Sequence, residues 1–427
     1  MSVEVTTLEN GITLAIDRMQ HLETVAFGTW VRAGARNERE DQHGIAHLLE
    51  HMAFKGTPTR SARQIAEEIE NVGGDVNAST SVEMTSYHAR MLGEDLPLGM
   101  DVLHDILRNS TYCADELERE KHVILQEIGA ANDTPDDLCF DLFQDAAYGG
   151  QPIGRPILGT PETVTAFTSN DIKDYLGTHY RAPNMIISAA GKVDSDAFKK
   201  QAEELYSDFP SELSEPCPPS KYLGGQSLVH RETAETQIVL GFEGRAYHVR
   251  DFYASNLLSM ILGGGMSSRL FQEIREKRGY CYSIYSFHWG FSDSGVFGIH
   301  AATGKEDVKQ LMPLLLDELH RASEDISEAE VDRARAQIKA SLMMAMESPA
   351  SRAGQIARQI MLFGRPIPND ELMERLQAIS AERLRDLAGR LFCETVPTIS
   401  AVGDISGVMN QHEIASALGS TKLLAAE

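Results

Sequence analysis

Cysteine is scarce. Five residues, at positions 113, 139, 217, 281 and 393, are spread over 427 positions, and none forms a CxxC pair. An odd, scattered set excludes a disulfide framework and reads as free thiols in a reducing compartment. Long apolar runs are also missing. No stretch reaches eighteen residues, which excludes a helical membrane span. The opening "MSVEVTTLENGITLAID" has no basic segment followed by an apolar one. No signal peptide is therefore expected, and the expected location is the cytoplasm. Positive charge is in deficit: 39 Lys and Arg stand against 63 Asp and Glu, a net charge of −24. A nucleic-acid partner wants a basic surface, so none is expected. A cationic substrate drawn towards an acidic cavity is compatible with this balance.

What is present describes a soluble globular chain. Hydrophobic residues make up 42% and charged residues 24%, and the length calls for two or more domains. The two halves resemble each other. "IISAAGKVD" at 186–194 has a partner in "TISAVGDIS" at 398–406, and each reads as a strand followed by a turn. The same offset of 212 residues pairs "TSNDIKDYL" with "SAERLRDLA", two helix starts with Thr168 and Ser380 as N-caps. It also pairs "DELEREKHVILQE" with the helical "ISEAEVDRARAQIKA". An internal duplication is the economical account. "DFPSELSEPCPPSKYLGG" between the copies is rich in Pro, Ser and Gly and reads as a linker. The expected division is a first half over 1–212, a linker over 213–224 and a second half over 225–427. In the first half, "ITLAID" and "VAFGTWVRAG" read as strands, "SARQIAEEIENVGG" as a helix stopped by Gly73-Gly74, and "GDVNASTSVEMTSYHARML" as a strand pair. Strand runs followed by helix runs predict α+β halves.

The chemistry concentrates in "GIAHLLEHMAFKG", residues 44–56. His47 and His51 are i and i+4, and Glu50 is i+3 from His47, so all three share one helix face. Leu48, Leu49 and Met52 point elsewhere and anchor the helix. Two neutral imidazoles suit zinc, and a neighbouring glutamate suits removal of a proton from a metal-activated water. The pattern H-x-x-E-H inverts the order of H-E-x-x-H but keeps its facing geometry. A third ligand is required. The candidates lie in "CADELEREKHVILQEIGAAN", where Glu120 and Glu127 are seven apart and line one face. The second half carries no copy of the ligands, because the equivalent positions fall on Met260–Gly263.

Several long motifs, in order, carry a family resemblance: "GIAHLLEHMAFKGT", "GGDVNASTSVEMTSYHARML", "LEREKHVILQEI", "QPIGRPILGT", "HYRAPNMIISAAG" and "LGGGMSSRLFQEIREKRGYCYSIYS". The chain resembles the pitrilysin/insulinase (M16) zinc metallopeptidases, in particular the short-chain branch that includes the β subunit of the mitochondrial processing peptidase and bacterial relatives. The resemblance implies an α+β fold of two homologous halves, each a mixed, largely antiparallel sheet packed with helices, in a clamshell-type arrangement. It implies one Zn2+ per chain held by His47, His51 and Glu127, with Glu50 as general base and Glu120 orienting a ligand histidine. Arg275 and Tyr282, in "REKRGYCY", match a pair used for transition-state and substrate-backbone contacts. Phe54, Asn77 and Ala78 match positions along which a substrate strand is added. Asp137 and Asp141, i and i+4, match an acidic pair that reads a substrate arginine.

The implied function is a zinc endopeptidase that cleaves peptides or short unfolded polypeptides in an enclosed chamber, with arginine preferred near the scissile bond. Four modules complete such a chamber and one chain supplies two. A homodimer is therefore expected, with a related M16 chain as the alternative partner. A catalytically silent core subunit and a hydrolase of non-peptide amides are the competing functions, and the intact HxxEH pattern argues against the first.

Overall fold

In a computed structural model, residues 3–213 and 215–420 are described. Ser214, inside the expected linker, and the last seven positions of the second half lie outside them. Two mixed sheets with helices make this an α+β protein, as expected. The first sheet has the strands β1 (Glu4–Thr7), β2 (Thr13–Arg18), β3 (Thr24–Val31), β4 (Asp75–Thr80), β5 (Thr85–Leu92) and β6 (Met185–Gly191). Their order is β1-β2-β6-β3-β5-β4. β2 and β6 run parallel, and the remaining neighbours are antiparallel. The second sheet contains β7 (Gly225–His230), β8 (Thr236–Glu243), β9 (Ser283–Gly290), β10 (Gly295–Thr303) and β11 (Thr398–Gly403), in the order β7-β11-β8-β10-β9. The five strands match β2-β6-β3-β5-β4 one for one, and β2 and β3 recur as β7 and β8 212 residues later. The duplication seen in sequence is thus a duplication of topology.

Local signals agree with the expected elements. Ser61 caps the helix Ala62–Glu70 and shares a capping box with Gln64. Thr168 and Ser380 accept the backbone N–H groups of Asp171 and Arg383 at their helix starts.

The compact units are not the two contiguous halves expected from the sequence. One unit comprises Met1–Gly129, Arg155–Pro218 and Leu342–Ile367; the other comprises Ala130–Gly154, Pro219–Ser341 and Pro368–Glu427. Each half therefore gives one helix to the other unit. The reason lies in the strands. In β2, β3 and β6 almost every residue is buried, on both faces. Leu14, Ile16, Val25, Phe27, Ile187 and Ala189 face the large core made with their own half's helices. Ala15, Trp30, Ile186 and Ala190 face the other way and need a second cover. That cover comes from a helix of the second half, Pro349–Phe363, whose Ala353, Ile356, Ala357 and Ile360 pack on this face at i, i+3, i+4, i+7 spacing. Arg352 of this helix pairs with Asp17 of β2 at 2.6 Å, both buried. The helix Pro135–Tyr148 does the corresponding work on the second sheet, packing on β7, β8 and β11. There Ser400 donates to the Cys139 carbonyl at 2.9 Å. A Cβ at Gly241 of β8 would sit 2.3 Å from the Phe143 ring, so glycine admits the helix. Among the described residues, no helix is long and apolar enough to cross a membrane.

Candidate metal centre

The helix that carries the histidines, α1, spans Ile45–Ala53. Its start needs a special residue. Gly44 has φ of 95°, and a Cβ there would lie 2.7 Å from the Gly159 Cα. Glycine offers no side-chain cap, so a buried carboxylate substitutes. Glu38 accepts from Gly44 N at 2.9 Å and from Ala46 N at 2.8 Å. Burial pushes its carboxyl up to about 8, against the pull of these two donors. Ile45, Ala46, Leu48, Leu49, Met52 and Ala53 are buried. His47, Glu50 and His51 occupy the remaining, partly open face.

The helix Ala114–Asp133, α2, supplies the carboxylates. Glu120 and Glu127, two turns apart, reach opposite nitrogens of one imidazole. Glu120 Oε2 lies 3.0 Å from His51 Nδ1, and Glu127 Oε2 lies 3.8 Å from His51 Nε2. Glu127 Oε2 is also 3.6 Å from His47 Nε2. The His47 and His51 rings are 4.6 Å apart at 65°. One ligand atom from each of His47, His51 and Glu127 lies within 4.8 Å of the others. A tetrahedral zinc with bonds of about 2.0–2.2 Å holds its ligand atoms roughly 3.3–3.6 Å apart. The trio is therefore within a few tenths of an ångström of what zinc needs at Glu127, and the donor set is one that zinc accepts. Burial and the neighbouring His51 push the His47 imidazole down to about 4, so it is neutral, the form that ligates, at pH 7. Glu50 is close enough for its charge to act on Tyr87, Tyr180 and His88.

Three further residues named from the sequence are in the same unit. Phe54 is the C-cap of α1 and packs, partly buried, against the core. Asn77 and Ala78 lie on β4, the last strand of its sheet. The Asn77 side chain is turned onto the backbone, accepting from Ala78 N at 2.8 Å, and Ala78 is buried. The other four belong to the second unit. Arg275 lies in a π-helical turn, Phe271–Glu276, and stacks over Phe271 at 4.6 Å and Tyr282 at 5.9 Å. Tyr282 is 75% exposed. Asp137 and Asp141 lie on Pro135–Tyr148, where burial and the Asp137 charge push the Asp141 carboxyl up to about 6.

Two residues were not legible in the pattern. Glu38 caps α1 from six residues before Gly44, beyond any capping-box spacing. Lys55, just past α1, pairs with Glu120 Oε1 at 2.6 Å. Both sit inside or beside the motif, but no spacing rule marks them.

Two histidines and a carboxylate thus converge on one point of a duplicated α+β framework, a group of donors that could hold a metal ion, with Glu50 on the histidines' face of α1. The comparisons with known proteins agree. The family described as "Insulinase (Peptidase family M16)" matches residues 14–161, and the "Peptidase M16 inactive domain" matches residues 166–338. An uncharacterised zinc protease of Rickettsia felis is 39% identical over 94% of this chain and 98% of its own. A probable mitochondrial-processing peptidase β subunit of Arabidopsis thaliana is 33% identical over 96% of this chain and 80% of its own. A protease from Helicobacter pylori superposes with a TM-score of 0.86 at 23% identity, over 94% of this chain and 99% of that one. The chain belongs to peptidase family M16, the zinc metalloproteases, and its cofactor is Zn2+.

Proposed function

We propose that the protein is a zinc endopeptidase in which His47, His51 and Glu127 are the metal ligands and Glu50 is the general base. The observation that carries this reading is the convergence of the three ligand atoms within 4.8 Å, with Glu50 on the same face of α1. Bound zinc supplies a polarised water and a Lewis acid for the scissile carbonyl. Glu50 takes the proton of the attacking water and hands it to the leaving amine. Glu120 holds His51 through Nδ1, which fixes the tautomer that leaves Nε2 free to ligate. By the family resemblance, Arg275 and Tyr282 donate to the oxyanion and the substrate backbone. β4, with Asn77 and Ala78, offers a strand edge to the peptide, and Phe54 lines the scissile position. Asp137 and Asp141 read an arginine near the cleaved bond. A homodimer completes the chamber.

The substitution Glu50→Gln tests the core of this. Zinc should remain bound at one per chain, while hydrolysis of a quenched basic peptide falls by about three orders of magnitude or more. Retained cleavage would remove the general base. Sedimentation of the purified protein should give twice the chain mass; a monomer that cleaves peptides at full rate would remove the dimer.

A further inference from the structure

We propose that Lys55 is a positioning residue for the metal centre: it clamps the Glu120 carboxylate against His51 Nδ1 and thereby sets how tightly zinc is held. This rests on the ligand set proposed above. Glu120 is spanned by two partners. Its Oε2 lies 3.0 Å from His51 Nδ1 and its Oε1 lies 2.6 Å from Lys55 Nζ. The carboxylate is only 9% exposed, and a buried carboxylate bonded to a single neutral imidazole would be poorly compensated. The ammonium supplies that compensation and fixes both oxygens at once, so the imidazole plane is set as well as its tautomer.

Lys55 is not a loose surface lysine. Its side chain is 29% exposed, and its backbone N–H donates to the Met52 carbonyl at 3.2 Å. The loop that follows is tied down. Thr111 N donates to the Gly56 carbonyl at 3.0 Å. The buried Asp105 gathers Thr57 at 2.7 Å, Thr59 at 3.0 Å and Arg60 at 2.8 Å. Glu116, one turn before Glu120 on α2, also feels the ammonium's charge, and Arg119 already holds it. Lys55 is thereby committed to Glu120. The construction is a relay from loop to carboxylate to ligand, in which the sequence-adjacent loop of α1 secures a residue of α2 that in turn orients α1's own histidine.

The test is zinc affinity, measured by competition with a chromophoric chelator, in Lys55→Met, Lys55→Arg and Glu120→Gln proteins and in the Lys55→Met/Glu120→Gln double variant. Lys55→Met should weaken zinc about tenfold or more, within the range usual for outer partners of a ligand. Lys55→Arg should restore most of that loss, because a guanidinium can bridge to the same oxygen. In the Glu120→Gln background, Lys55→Met should add no further loss, because the two act through one contact. Lys55→Gln, which keeps donors without charge, serves if the methionine variant does not fold. Wild-type affinity in Lys55→Met, or an equal loss with and without Glu120, overturns the proposal. A wild-type protein that holds no stoichiometric zinc, or whose affinity is untouched by His51→Ala, instead overturns the ligand set beneath it.

Discussion

At the scale of single residues, His51 explains why two glutamates seven apart matter differently. Each faces one nitrogen of the same ring, Glu127 from the ligand side and Glu120 from the far side. Replacing Glu120 with Gln should cost roughly 10–100-fold in zinc affinity. Replacing Glu127 with Gln should cost more, because in the proposed ligand set it turns a charged donor to the ion into a neutral amide. Chelator competition on the two variants ranks them, and equal losses would contradict the division of roles. The arginine-reading role proposed for Asp141 carries a pH signature. Its carboxyl is ionised only above about 6, and an arginine needs the ionised form. Preference for an arginine peptide over its citrulline counterpart should be full near pH 7.5 and fade at pH 5. A ratio that stays flat across that span, or one that survives Asp141→Asn, would show that another group reads the charge.

At the scale of elements, the helix Pro349–Phe363 is tied to β2 by the buried Arg352–Asp17 pair. Removing one member leaves the other charge buried and unpaired, so Asp17→Asn should cost about 3–5 kcal/mol. Trp30 lies beneath this helix: a Cβ on Gly354 would be 3.6 Å from its ring. The loss should therefore appear as an earlier denaturant midpoint for Trp30 emission, read in a Trp289→Phe background. An unchanged midpoint would mean that the pair contributes nothing to docking. Gly241→Ala probes the corresponding contact in the second unit. There the added methyl meets the Phe143 ring, and overpacking of this kind costs about 1–3 kcal/mol.

At the scale of the whole molecule, the exchanged helices join the two halves of the sequence into one folding problem. A fragment of residues 1–212 retains every proposed ligand but lacks Pro349–Phe363, leaving Ala15, Trp30, Ile186 and Ala190 uncovered. Such a fragment should bind a hydrophobic dye and aggregate. Adding the second part of the chain in trans should suppress both. A 1–212 fragment that is monomeric, silent towards the dye and cooperative in unfolding would mean that the borrowed helix is dispensable.

The sequence by itself determined the elements that depend on neighbours along the chain. The HxxEH face follows from helical spacing, Thr168 and Ser380 from capping, and the repeated strands from the 212-residue offset. It also determined the family, because long motifs recur in order. Only the tertiary structure decided which helix covers which sheet, that Glu38 caps α1, and that Lys55 holds Glu120. A near-continuous apolar run says that both faces of a strand are covered but not by what, and a charge says that it needs a partner but not which one. Those choices belong to residues far apart in sequence, and the energy that selects them exists only once the chain is packed.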